Sequence, residues 1–267
     1  MTHATIQAQI DAAKAYEDLM VPALFGEWGP VVADAAHIQT GQRVLDVACG
    51  TGVLARGVLS RTGKAEFVTG LDPNAGMLEV ARQLAPGVEW QQGLAESLPF
   101  PDATFDVVVS QFGLMFFHDR SEAIREALRV LKPGGRMAFA VWDSLENIPA
   151  YADAVALLER LAGAPAANAV RAPFVLGDRR DLEMLFAGAG FKSVEVATRK
   201  GVARFPSVRV MVEADLRGWL PVLGVVLTEE QIEGILQAAE HALQQYVSSD
   251  GAASFATSAH IVTGMKP

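Results

Sequence analysis

The chain has 267 residues, 51% of them hydrophobic, enough to bury the core of one large or two small globular domains. Its 31 acidic and 22 basic residues give a formal charge of −9 spread along the sequence, so the overall field repels polyanions and disfavours a nucleic-acid substrate. The single cysteine, Cys49, excludes an internal disulfide and a multi-cysteine metal site, and fits a reducing compartment.

The first twenty residues form a polar helical pattern without the charged and then apolar regions of a signal peptide, and no run of about eighteen apolar residues occurs. A soluble, cytoplasmic protein without a membrane span is expected. From Arg43 to Trp142, apolar runs of strand length alternate with helical patterns, as βα units feeding a parallel sheet do. The predicted strands are Arg43–Ala48, Glu66–Asp72, Val88–Gly93, Phe105–Ser110 and Arg136–Trp142. A helix over Ser121–Leu131 precedes the last of these and is stopped by Lys132-Pro133-Gly134-Gly135.

After Asp143 the rhythm changes. The pattern predicts an alanine-rich helix near Pro149–Ala162, a loop through Pro165 and Pro173, and a helix over Asp178–Ala187 closed by glycines. A strand over Lys192–Arg204 follows, then helices over Ser207–Trp219 and Thr228–Val247, and a final strand at about Ser258–Met265. Thr228 and Gln231 have capping-box spacing. No composition shift marks a linker, so one domain spanning 1–267 is expected: lid helices over 1–40, a cofactor-binding core over 41–143, and cap helices with the last two strands over 144–267.

Chemistry concentrates where the first strand ends. Val44-Leu45-Asp46-Val47-Ala48-Cys49-Gly50-Thr51-Gly52 is a buried strand running into a glycine turn that opens a helix at Val53–Ser60. Glycines let the backbone bend and approach a ligand, and the helix start offers free N–H donors. Asp72 closes the second strand, where a carboxylate accepts both hydroxyls of a ribose. The pieces describe an adenosine site. Gly50-Thr51-Gly52-Val53-Leu54-Ala55 also satisfies the alanine-ending dinucleotide fingerprint, which makes a nicotinamide- or flavin-dependent oxidoreductase the rival. Asp46 argues against it: a carboxylate there repels a pyrophosphate and suits a ligand carrying ammonium and sulfonium charges, as S-adenosylmethionine does.

These residues resemble class I S-adenosylmethionine-dependent methyltransferases, closest to the ubiquinone/menaquinone C-methyltransferase branch. The resemblance runs from about Tyr16 to Trp142 and includes Gly70-Leu71-Asp72-Pro73-Asn74 with Met77, Gly93–Phe100, Phe105–Ser110 and Leu131–Arg136. It implies a doubly wound α/β fold: a seven-stranded Rossmann-like sheet, its last strand antiparallel, with an inserted helical cap. It places the methionine end near Asp46, Ala48, Gly50 and Gly52, the ribose on Asp72, and adenine between Pro73, Met77 and Leu94-Ala95-Glu96. Ser110, Gln111 and Phe112 would lie beside the transferable methyl. There are two departures: Ala48 stands where many members have a glycine, and Ala95 where many have an acidic residue.

On the acceptor side, His118 is the candidate general base, against the plainer reading that it only precedes a helix capped by Asp119 or Ser121. Tyr16, Phe25 and Trp28 form either an aromatic lid or ordinary packing. Phe112 and Phe116, with Met115 and Phe117, line an apolar acceptor pocket or belong to the core. His3, His37, His241 and His260 have no partner at a recognisable spacing, and no metal is expected. The reading is methyl transfer to a small apolar or aromatic metabolite. The oxidoreductase and a non-catalytic methyltransferase-like binding protein are the alternatives.

Overall fold

The computed structural model describes residues 3–267. Seven strands form one sheet in the order β3-β2-β1-β4-β5-β7-β6. They are β1 (Val44–Val47), β2 (Val68–Asp72), β3 (Glu89–Gln92), β4 (Phe105–Gln111), β5 (Leu131–Trp142), β6 (Lys192–Phe205) and β7 (Ala253–Met265). β1 to β5 pair in parallel, and β7 runs antiparallel to both β5 and β6. Every residue of β1 and β2 is buried, as expected of central parallel strands covered on both faces.

The helices are α1 (His3–Ala15), α2 (Trp28–Ala35), α3 (Val53–Thr62), α4 (Ala75–Leu84), α5 (Arg120–Val130), α6 (Pro149–Ala162), α7 (Ala164–Arg171), α8 (Arg179–Gly188), α9 (Val208–Glu213), α10 (Leu220–Val222) and α11 (Glu229–Ala242). Short polar side chains fix several starts by accepting from the first free amides: Asn74 for α4, Asp119 for α5, Asp178 for α8 and Ser207 for α9. Asp119, not Ser121, is the cap of α5. The capping box of Thr228 and Gln231 opens α11 as its spacing predicts.

Four expectations change. The predicted loop through Pro165 contains α7, because Pro165 sits in the first turn, where its missing N–H costs nothing. β5 begins at Leu131, not Arg136: the Pro133-Gly134-Gly135 turn is held alongside β7 by bonds from Gly134 to Lys266 and from Lys266 to Gly135. β7 starts at Ala253 because β6 is long enough to pair with it there. The predicted helix over Ser207–Trp219 widens into a π-helical turn over Ala214–Trp219. A longer π-helical stretch, Tyr16–Phe25, lies between α1 and α2.

Strand order reverses between β1 and β4, so a crevice opens at their carboxyl ends, the usual ligand position in open α/β sheets. The predicted cofactor turn and the end of β4 flank this point. No helix among the described residues is long and apolar enough to cross a membrane.

Candidate active site at the β1/β4 crevice

After β1 the chain makes a tight turn through three left-handed residues, Ala48 (φ 57°), Gly50 (φ 55°) and Gly52 (φ 85°). Two of the three are glycines, as the conformation demands; Ala48 accepts the strain. A Cβ on Gly52 would also overlap the indole of Trp90, which lies across the base of the turn and against Gly70 of β2.

Two carboxylates brace this turn. Asp72 accepts the Gly50 amide on Oδ2 at 2.9 Å and the Asn74 amide on Oδ1 at 2.8 Å, tying the glycine turn to the β2–α4 connection. Asp46, only 1% exposed, accepts the Ala55 amide on Oδ2 at 3.0 Å, while its Oδ1 is buried without a partner. Burial, with a smaller contribution from Asp72, pushes the Asp46 carboxyl well above the usual range; the Ala55 bond opposes this. Asp72 is also raised by burial, against its two amide bonds.

The N-terminal segment closes over the crevice. Arg56 of α3 donates to the Thr51 carbonyl and to Glu17 at 2.6 Å. Gln111 donates to the Phe25 carbonyl at 3.0 Å, and Glu27 accepts from the Val202 amide. Tyr16 is half-buried, and desolvation raises its phenol, helped by Glu17, Asp72 and Asp46. α1 crosses the start of α4 so closely that a Cβ on Gly76 would overlap the backbone of Gln9.

Beside the turn lies an aromatic cluster. Phe112 and Trp142, at the ends of β4 and β5, stack at 3.9 Å with a 9° interplanar angle. Phe25 approaches both rings, Trp28 meets both edge-on, and Tyr16 stacks on Phe25 at 5.4 Å. Phe112 holds φ 56°, a left-handed conformation rare for a bulky side chain and a mark of local strain. Orphaned buried polar atoms gather around the same crevice: Glu17 Oε2, Trp28 Nε1, Asp46 Oδ1, Thr51 Oγ1, Ser110 Oγ and Gln111 Oε1. Buried groups of this kind are normally satisfied, so their convergence fits a polar ligand seated among them.

The predicted adenine side is arranged differently. Ala95 is buried, Leu94 is half exposed, and Pro73 lies at the surface beside the half-buried Met77. Glu96 accepts the amides of His118 and Asp119 on one oxygen, so it also anchors the start of α5.

Other sequence expectations separate in space. His118 is exposed and lines a shallow surface recess with Asp119, Leu176, Asp181 and Leu185, outside the Phe112–Trp142 cluster. Phe116 is 42% exposed and packs against Trp219 of the cap, not against Phe112. Among the histidines read as partnerless, His260 is held by residues distant in the sequence. It is buried, with Nε2 at 2.9 Å from the Gly177 carbonyl and 3.1 Å from Asp143, and Nδ1 at 3.0 Å from Thr198 Oγ1. Pairing of β7 with β5 and β6 brings these residues together, which no local spacing reveals. His37 and His241 are exposed, and the side chain of His3 lies outside the described residues.

Residues 45–139 match the methyltransferase domain family. Over this stretch the chain is similar to a methyltransferase domain. Over 126 residues the chain is 39% identical to the ubiquinone/menaquinone biosynthesis C-methyltransferase UbiE of Cronobacter sakazakii, covering 45% of the chain and 50% of that protein. Against UbiE of Laribacter hongkongensis the identity is 40% over 147 residues, 51% of the chain and 60% of the relative. The chain thus spans about half the length of the curated relatives it matches. The YcgJ protein of Bacillus subtilis superposes with a TM-score of 0.57 at 22% identity, covering 90% of this chain and 98% of that one. Phosphoethanolamine N-methyltransferase 2 of Haemonchus contortus, in complex with S-adenosyl-L-methionine, gives 0.56 at 18%, covering 90% and 52%. These last two show the shared fold. The cradle fits S-adenosylmethionine: Asp46 keeps one unpartnered buried oxygen for a cationic ligand, and Asp72 has lone pairs left for ribose hydroxyls.

Proposed function

We propose that the protein transfers the methyl group of S-adenosylmethionine to a small apolar or aromatic acceptor held against Phe112 and Trp142. The observation that carries this reading is the juxtaposition of the braced glycine turn, with its buried Asp46 and Asp72, and a wall of stacked aromatic rings one strand away. The UbiE relatives, named for quinone C-methylation, support a ring-bearing acceptor.

The cofactor supplies an electrophilic methyl on a sulfonium sulfur. What this chain's residues supply is position and dryness. Asp72 fixes the turn through Gly50 and offers its free lone pairs to a ribose. Asp46, Ala48, Gly50 and Gly52 surround the methionine end, and Ser110, Gln111 and Phe112 face the transferring group from β4. Pro73, Met77 and the Leu94-Ala95-Glu96 loop border the adenine. Tyr16, Phe25 and Trp28 cover the crevice, excluding water from a displacement that needs an aligned nucleophile more than a protein base.

Titration calorimetry of the whole chain with S-adenosylmethionine, S-adenosylhomocysteine, NADH and NADPH tests this. Binding is expected for the first two only. Asp72→Ala removes the acceptor of the Gly50 and Asn74 amides and of the ribose; affinity should fall by about a hundredfold or more, the cost of losing bonds to a buried charge. Nicotinamide binding in place of S-adenosylmethionine would overturn the reading.

A further inference from the structure

The aromatic wall does not end at Trp142. Phe174, in the single turn after α7, lies 6.4 Å from the Trp142 ring, and Tyr151 of α6 lies 5.5 Å from Phe174. This run passes from the methyl-transfer crevice into the cap. The cap also holds Asp215, 6% exposed, in the π-helical turn Ala214–Trp219, which packs against α7, and α7 in turn packs against the turn that carries Phe174. The same turn carries Trp219, whose indole donates to the Ala169 carbonyl at 2.8 Å and so fixes the turn against α7.

Among the described residues no hydrogen bond or ion pair reaches the Asp215 carboxylate, and burial alone moves its pKa, up to about 7. Its charge acts on Tyr151, itself buried, and raises the phenol further. The cations on its own turn and on the packed neighbours α7 and α9 are committed elsewhere. Arg217 holds Glu213 and Glu229, Arg209 holds Glu233, and Arg171 holds Glu159 and Asn168. α10, which also packs on this turn, is Leu220-Pro221-Val222 and carries no charge. A buried carboxylate with no cation is costly, and π-helical turns recur at functional sites. Aromatic faces leading to an unpaired carboxylate form a site for an organic ammonium group, attracted by the rings and neutralised by the charge.

We propose that Asp215 binds an ammonium group at the distal end of the methyl acceptor, so that the enzyme selects an aromatic amine lying along Phe112, Trp142, Phe174 and Tyr151. This rests on the methyl-transfer reading above and adds the residue that reads the acceptor's far end. Asp215 is a specificity residue here; it takes no part in breaking the sulfonium bond.

The test titrates the full chain with 2-phenylethylamine, 2-phenylethanol and 3-phenylpropanoate, with and without S-adenosylhomocysteine, following tryptophan fluorescence. The amine is expected to bind about tenfold or more tighter than the alcohol, and the carboxylate weakest. Asp215→Asn should erase the preference for the amine while leaving S-adenosylhomocysteine affinity within about twofold. Asp215→Leu repeats the test with a shape-filling apolar side chain, and thermal melting verifies that both variants fold. Failure of the amine to bind, equal binding of amine and alcohol, or an unchanged preference in both variants would overturn the proposal. Loss of S-adenosylhomocysteine binding by the unaltered chain would instead overturn the cofactor reading, since the amine comparison without cofactor still decides the role of Asp215.

Discussion

The cofactor side and the cap side of the crevice are built by different means. Around β1, β2 and the glycine turn the site is mostly backbone: left-handed residues, amides held by Asp46 and Asp72, and glycines against which Trp90 fits closely. Across the cap it is mostly side chain. Phe174, Tyr151 and the Asp215–Trp219 turn come from three separate elements that meet only because those elements pack together. A backbone site tolerates almost no change in residue type at fixed positions, whereas a side-chain site can be remade by many substitutions. The family match over residues 45–139 ends just short of Trp142, where the second kind of construction begins.

The strongest way to break the cofactor side is Gly52→Ala. The added methyl would overlap the Trp90 ring, and the residue must hold φ 85°. Overpacking and left-handed strain together cost on the order of 3 kcal/mol. Chemical denaturation should show that loss, and calorimetry should show cofactor binding abolished. Pairing the change with Trp90→Leu relieves the overlap but not the backbone strain, so partial recovery of stability is expected.

On the cap side the comparison predicts the reverse sign. Asp215→Asn should stabilise the protein above neutral pH. The folded carboxyl titrates at about 7, whereas an unfolded aspartate titrates near 4. Stability contributed by the protonated group is therefore complete below about pH 4 and is lost as pH rises through about 7. The full loss is about 4 kcal/mol; an Asn amide buried without partners returns part of it, leaving a net gain of about 2 kcal/mol at pH 8. Melting temperatures of both proteins from pH 5 to 9 measure this. A constant difference across that range would show that Asp215 has an unseen partner. Asp46, raised by burial too, is present in both chains and cancels.

Much of this was legible in the sequence, and unevenly. The five parallel strands could be placed because buried apolar runs alternate with capped helices, and the glycine turn because positive φ leaves a compositional trace. Asp72 could be assigned from its place at a strand end. The lid could be guessed from Tyr16, Phe25 and Trp28 but not its fastenings: the partners of Arg56 and Gln111 lie 39 and 86 residues away. His260 and Asp143 are 117 positions apart and meet through antiparallel pairing of β5 with β7. Asp215 gave no signal at all, because one acidic residue in a helical pattern reads as solvated surface until packing buries it.

Ala48→Gly probes the smallest difference between the two sides. Ala48 holds φ 57°, where an L-residue pays about 1–2 kcal/mol that glycine does not. Against that, glycine adds about 0.5–1 kcal/mol of unfolded-chain entropy. If the turn is a pure backbone device, the variant should gain less than about 1 kcal/mol, a rise of about 2 °C in melting temperature for a chain of this size, with cofactor affinity unchanged. The Ala48 methyl, however, lies where a Cβ on Gly113 would collide with it, at the junction with the loop after β4. A loss of stability or of affinity in the variant would mean that this methyl helps set the spacing between the cofactor turn and Phe112. The cofactor side would then rely, at this one residue, on side-chain contact as the cap does.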